Sequence, residues 1–136
     1  DGTLDDECRW ILKVLADWFA ANAEGVYATR PWKIASEGQT EKESGAFKET
    51  PVEWTPADYR FTCKGNTVYA FQMKSADKHT AEIKSLGLET AGKVTGLRLL
   101  GTDAPVTYDQ REGALVAQLP ESLPAPYVSC LAATLA

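Results

Sequence analysis

The stretch YRFTCKGNTVYAFQMK, residues 59–74, decides the fold class. Tyr59 to Cys63 and Thr67 to Lys74 are rich in aromatic and β-branched residues, and Lys64-Gly65-Asn66-Thr67 between them reads as a tight hairpin turn. In the second arm Tyr69, Phe71 and Met73 alternate with Val68, Ala70 and Gln72, so one aromatic face is expected to be buried.

Toward the C-terminus the same texture repeats. Strands are expected at Thr80 to Ile83, Lys93 to Leu100, Val106 to Tyr108, Ala114 to Gln118 and Tyr127 to Leu131, with breaks at Gly101-Thr102-Asp103 and Glu112-Gly113. Toward the N-terminus, Val26-Tyr27-Ala28-Thr29 is β-prone, and Pro31 restricts pairing by removing a backbone donor. Residues 36–52 are polar, with Gly38, Gly45 and the charged run Glu41-Lys42-Glu43, and read as a long exposed loop. Seven to eight short strands with little helix after residue 25 imply a mainly β fold, an antiparallel β-sandwich over residues 26–136.

Residues 1–25 read as one N-terminal α-helix. Asp1-Gly2-Thr3 is a turn with Thr3 as the expected N-cap, and Asp5, Asp6 and Glu7 stand where the helix dipole favours anions. Leu4, Cys8, Ile11, Leu15, Trp18 and Phe19 make an apolar stripe, and Gly25 supplies the stop. Trp10, Leu12 and Val14 fall partly outside that stripe. The helix is therefore more apolar than one packing face requires, and it expects contact on two sides or a partner.

The chain of 136 residues is the size of one domain, with 44% hydrophobic and 24% charged residues. Its net charge of −5, with basic residues scattered singly among acidic ones, argues against a nucleic-acid partner, because phosphate binding needs clustered Lys and Arg. No apolar run approaches the roughly 18 residues that a membrane span needs, and no signal peptide is visible at the acidic N-terminus. Cys8, Cys63 and Cys130 are too few and too scattered for a disulfide framework or a zinc site, and read as buried free thiols.

Candidate chemistry is sparse. His79, the single histidine, has no second ligand near it in sequence and reads as a solvated strand-end residue. Gly92 and Gly96 lack the spacing of a phosphate loop and mark a strand start and a bulge. A retaining glycosidase needs two carboxyl groups about 5–5.5 Å apart. The carboxylates here crowd a helix start (Asp5, Asp6, Glu7) or the polar loop (Glu41, Glu43, Glu49, Glu53), where dipole and solvation explain them. Trp32 and Trp54 lie outside regular strand runs, where an indole either stacks on a sugar ring or packs against the sandwich or a neighbouring domain.

A family resemblance runs along the chain. Glu24-Gly25-Val26-Tyr27-Ala28-Thr29-Arg30-Pro31-Trp32 resembles the E-x-I-Y-G-T-R-P-W motif of family 29 α-L-fucosidases, with Val26 in place of Ile and Ala28 in place of Gly. Trp18-Phe19-Ala20-Ala21-Asn22 is similar to that family's W-L-x-x-N helix end, and Asp1-Gly2-Thr3-Leu4 to its D-G-T-I turn. Residues 58–70 resemble its D-I-R-F-T-x-K-G-D-x-L-Y-A strand pair. Val94 to Gly101 resembles its v-x-x-V-x-L-L-G pattern with Leu97 in place of Val, and Leu119-Pro120-Glu121 with Pro126-Tyr127-Val128 resembles its L-P-x…P-x-Y-A segment.

The resemblance implies a retaining exo-hydrolase that removes terminal α-L-fucose without metal or organic cofactor. In the family the catalytic carboxylates come from a (β/α)-barrel upstream of this stretch, so they have no counterparts here and the chain alone is expected to be inactive. Residues 1–25 would be the last barrel helix, and the sandwich would buttress the barrel of the same parent chain. The resemblance further implies a periplasmic, secreted or lysosomal setting. Arg30, Trp32, Trp54 and Tyr59 are the candidates for interdomain contact, with Arg30-Pro31-Trp32 as the hinge between barrel and sandwich. The alternative is a carbohydrate-binding module that contacts fucosylated glycans through Trp32, Trp54 or Tyr59.

Overall fold

A computed structural model describes residues 5–38, 53–124 and 128–136. The hairpin forms as the sequence dictates. Strands β2 (Tyr59–Lys64) and β3 (Thr67–Gln72) pair antiparallel from Lys64↔Thr67 to Tyr59↔Gln72. Gly65 takes φ +59 at the first position of the two-residue loop, the place a type II′ turn reserves for glycine.

Around this hairpin the chain builds two antiparallel sheets. The remaining strands are β1 (Arg30–Glu37), β4 (Thr80–Ile83), β5 (Val94–Leu99), β6 (Thr107–Gln110), β7 (Leu115–Gln118) and β8 (Ser129–Leu135). One sheet runs β1-β2-β3-β8-β5 and the other β4-β7-β6. Helix α1 (Asp6–Asn22) precedes them, and the four-residue helix α2 (Leu88–Ala91) follows β4. The fold is mainly β, a sandwich with one N-terminal helix.

Tyr59, Phe61, Val68, Ala70, Leu131 and Leu99 face the second sheet and meet Ile83, Leu86, Leu115 and Ala117 in the main core. Tyr69, Phe71, Cys130 and Ala132 point the other way into a smaller core, completed by Trp18 of α1 with Met73 and Val128. β3 is therefore buried on both faces, where the alternation indicated one. Small residues on one face and aromatics on the other still obey the period of two.

The chain departs from expectation at several points. Ser36 and Glu37 belong to β1 rather than to a loop, and the rest of the expected loop, 39–52, lies outside the described residues. The β-prone stretch 26–29 is a turn, and pairing begins at Arg30, with Pro31 tolerated because β1 is a sheet edge. Arg30, Pro31 and Trp32 sit inside β1 rather than at a free corner. The expected Thr3 cap lies outside the described residues; Asp5 caps α1 by accepting a hydrogen bond from the Cys8 amide at 2.8 Å. That bond holds the Asp5 carboxyl below the usual range. Only Cys130 is a buried thiol, Cys8 being exposed and Cys63 half-buried. His79 is partly enclosed with φ +54, and its Nδ1 finds no hydrogen-bond partner among the described residues. Gly92 closes α2 with φ +78, and β5 carries the expected irregularity between Val94 and Gly96.

Leu131 has no solvent exposure and stands opposite Ala70 on one side and Leu99 on the other. Leu131→Ala should cost about 2–5 kcal/mol of unfolding free energy, read from urea denaturation.

Candidate functional site

The candidate site is the join between α1 and the sandwich, together with the surface that α1 leaves open. α1 touches the five-stranded sheet through its last turns. The Trp18 indole N–H donates to the Val128 carbonyl at 2.9 Å, and its ring lies 6.1 Å from Phe71. Asn22, buried, donates to the Trp18 carbonyl at 3.0 Å. Gly101, with φ +89, lets Ala21 and Pro124 close in, since a Cβ there would lie 2.7 Å from the Ala21 Cβ.

The turn after the helix is tied down just as firmly. Gly25 lies so close to the sheet that a Cβ would meet the Phe71 ring at 2.9 Å and the Cys130 sulfur at 3.0 Å. Its carbonyl accepts the Thr62 hydroxyl at 2.7 Å. The Glu24 carboxylate accepts the Tyr69 hydroxyl at 2.8 Å and pairs with the Arg98 guanidinium. The Arg98 hydrogen bond, aided by Tyr69, lowers the Glu24 pKa below its ordinary 4.5. Burial, and then the Glu24 carboxylate, push Tyr69 up to about 12. Burial likewise raises the Cys130 thiol, which suits a packing role.

Before its last turns, α1 is bare. Of its seventeen residues only Asn22 is buried, while Trp10 is 58% exposed, Leu12 51% and Leu15 49%, with Ile11 and Phe19 close behind. Tyr27 extends this surface by stacking on Phe19 at 6.2 Å. The apolar surplus read from the sequence is thus an open face that continues across the turn.

The four sequence candidates separate. Arg30 is exposed at the start of β1. Trp32 is half-buried, edge-on to Phe61 at 5.4 Å, and packs on the main core. Tyr59 has no exposure, and its hydroxyl accepts from Gln72 at 3.1 Å, so it offers no surface to a glycan. Trp54 is half-buried with the Arg60 guanidinium 4.8 Å from its ring centre, and it borders a surface cleft. Glu24, Tyr69 and Arg98 were not singled out in the sequence, because they meet across separations of 45 and 74 residues.

No family model matches the chain. Tissue α-L-fucosidase of Mus musculus is 32% identical over 114 residues, covering 82% of this chain and 22% of that protein. The α-fucosidase of Thermotoga maritima superposes with a TM-score of 0.67 at 20% identity, over 98% of this chain and 28% of that one. The chain is homologous to the α-L-fucosidases. The region it matches is their C-terminal one, and it spans about a quarter of their length or less. Ribosomal RNA small subunit methyltransferase G of Anaeromyxobacter dehalogenans also aligns, at 30% identity over 116 residues, 76% of this chain and half of that protein. The fucosidase similarity carries more weight, because the fold agrees with it over nearly the whole chain and a net charge of −5 offers little to RNA phosphates.

Two substitutions probe the join. Ala28, where the family motif has Gly, holds φ +58, a left-handed conformation costing an L-residue about 1–2 kcal/mol. Ala28→Gly should therefore raise stability by about 1 kcal/mol in chemical denaturation, part of the gain being offset by the freer unfolded chain. The depressed Glu24 pKa contributes stability that is complete above about pH 4.5 and is lost as pH falls through the folded value. Glu24→Gln should cost below about 1 kcal/mol at pH 7, since both ionic partners are largely solvated, and should flatten the acid-side fall in melting temperature.

Proposed function

We propose that this chain is the non-catalytic sandwich of an α-L-fucosidase, a retaining hydrolase that releases terminal α-L-fucose from glycans, and that it buttresses the catalytic domain of the same parent chain. The observation that carries this reading is the bare apolar face of α1. Trp10, Ile11, Leu12, Leu15 and Phe19 lie on a helix that, among the described residues, is anchored at its C-terminal end. Fully burying one such side chain is worth about 1.5–3 kcal/mol, and each here is still roughly half exposed. Their combined burial against a partner would rival the whole stability of a small domain.

The matched fucosidases suggest the occupant. The matched fucosidases carry about three-quarters of their length beyond the matched region. A helix projecting from a sandwich, apolar on more than one side, suits a place in that larger fold better than open solvent. The catalytic carboxylates would then come from the partner domain, with the sandwich fixing the helix through Glu24, Gly25 and Trp18. In this reading residues 1–25 belong to the catalytic fold and residues 26–136 to the sandwich.

A chimera in which this chain replaces the matching segment of the Mus musculus enzyme provides the test. It should be soluble and should release fucose, whereas the same enzyme truncated before the segment should not. Leu12→Glu with Leu15→Glu should abolish both properties in the chimera while shifting the stability of the isolated chain by no more than about 0.5 kcal/mol. A truncated enzyme that is fully active, or a chimera indifferent to the double substitution, sinks the proposal.

A further inference from the structure

A cleft of about 860 Å3 opens beside Trp54, within the size range of small-molecule sites. Its apolar wall is formed by Trp54, Met73 and Val128, and its polar rim by Glu53, Thr55, Lys74 and Ser75. The indole has a cationic neighbour. The Arg60 guanidinium lies 4.8 Å from the ring centre and is itself fixed by donating to the Tyr59 carbonyl at 2.9 Å. Trp54 lines the cleft and Arg60 does not. The neighbouring turn is equally set, for Asp58 accepts hydrogen bonds from the Thr55 amide at 2.8 Å and the Thr55 hydroxyl at 2.9 Å.

This is an aromatic platform with one carboxylate, one ammonium and two hydroxyls at its edge, of which the Thr55 hydroxyl already donates to Asp58. Among the described residues neither Glu53 nor Lys74 forms a salt bridge, so both are available to a ligand. A pyranose ring presents matching chemistry, with an apolar C–H face for an indole and ring hydroxyls that both donate and accept. We propose that the Trp54 cleft is a saccharide-binding site, in which a pyranose stacks on Trp54 and shares its hydroxyls between the Glu53 carboxylate, which accepts, and the Lys74 ammonium, which donates. A lipid tail would leave the charged rim unmatched, and a phosphate would meet Glu53 beside Lys74.

The site differs from the helix face, but the two lie on one side of the sheet. Met73 and Val128 line the cleft and also pack with Trp18 of α1 in the smaller core. A glycan held at Trp54 would thus lie beside the exposed helix, on the side where the proposed docking takes place.

The experiment follows the four Trp indole N–H signals of this chain by NMR. The probes are methyl glycosides of L-fucose, D-galactose and N-acetyl-D-glucosamine, added to tens of millimolar. The Trp54 signal should shift saturably with at least one of them, with a dissociation constant of about 1–10 mM. Lys74→Met and Glu53→Gln, both exposed and outside the cores, should each weaken binding by about fivefold or more with the fold retained. Trp54→Ala should abolish it. The proposal is overturned by the absence of any saturable shift, by shifts confined to Trp10, Trp18 or Trp32, or by binding that neither rim substitution alters. The readout needs only this chain, so a negative result leaves the docking of the helix face untouched.

Discussion

Burial of the central sheet on both faces is the constraint from which the rest of the structure follows. β3 and β8 lie inside the five-stranded sheet, with Val68, Ala70, Leu131 and Ala133 turned to the second sheet and Tyr69, Phe71, Cys130 and Ala132 turned away from it. A three-stranded partner can cover only the first face. The second would leave two aromatic rings in water, so a further element must lie across it. The last turns of α1 and the turn at Gly25 supply that cover. Gly25 is there for close approach rather than for an unusual φ, because the space a side chain would need is already filled by Phe71 and Cys130.

That cover is short, which accounts for the helix. Only Trp18 and the residues after it reach the sheet, and the preceding turns, carrying the same apolar character, extend beyond it. An apolar helix that satisfies one partner at its end and none along its length is stable in isolation only through its tether. The tether uses contacts of different kinds: the indole hydrogen bond of Trp18, the hydroxyl of Thr62, the Glu24–Tyr69–Arg98 cluster and the packing around Gly25 and Gly101. Surface ion pairs contribute little alone, but here the pair shares its carboxylate with a buried tyrosine, so orientation as well as energy is fixed.

Much of the fold was legible because local signals agreed with it. The Gly65-Asn66 turn, the alternation in β3 and the regular spacing of later strands are short-range features, and they placed most strands to within a few residues. What escaped depends on long-range partners. Glu37 looks like part of a polar loop, yet its carboxylate accepts the Lys84 amide at 2.8 Å and the Ser85 amide at 2.6 Å, which holds the end of β1 against the chain after β4. α2 is a single turn fixed by amides donating to the Arg111 and Glu112 carbonyls, and four residues are too few for a periodic signal. At the candidate sites the sequence could name the aromatic residues but not their surroundings. Tyr59 lies in the main core and Trp32 packs against it, while Trp54, equally irregular in its context, borders a cleft.

The strands also place the segment expected to articulate. The family resemblance implies that Arg30-Pro31-Trp32 is the hinge between barrel and sandwich. In the structure all three residues belong to β1; Arg30 and Pro31 stand opposite Cys63 and Thr62, and Trp32 is packed on Phe61. The turn before them is fastened at Glu24, Gly25 and, through the Thr29 hydroxyl on the Val26 carbonyl at 2.8 Å, at its own far end. The helix is joined to the sandwich through Trp18, Glu24 and Gly25, so a partner seated on the helix would lie beside the sheet that these contacts reach. A buttress requires that coupling, since an element free to swing could cover an apolar face without fixing the position of anything attached to it.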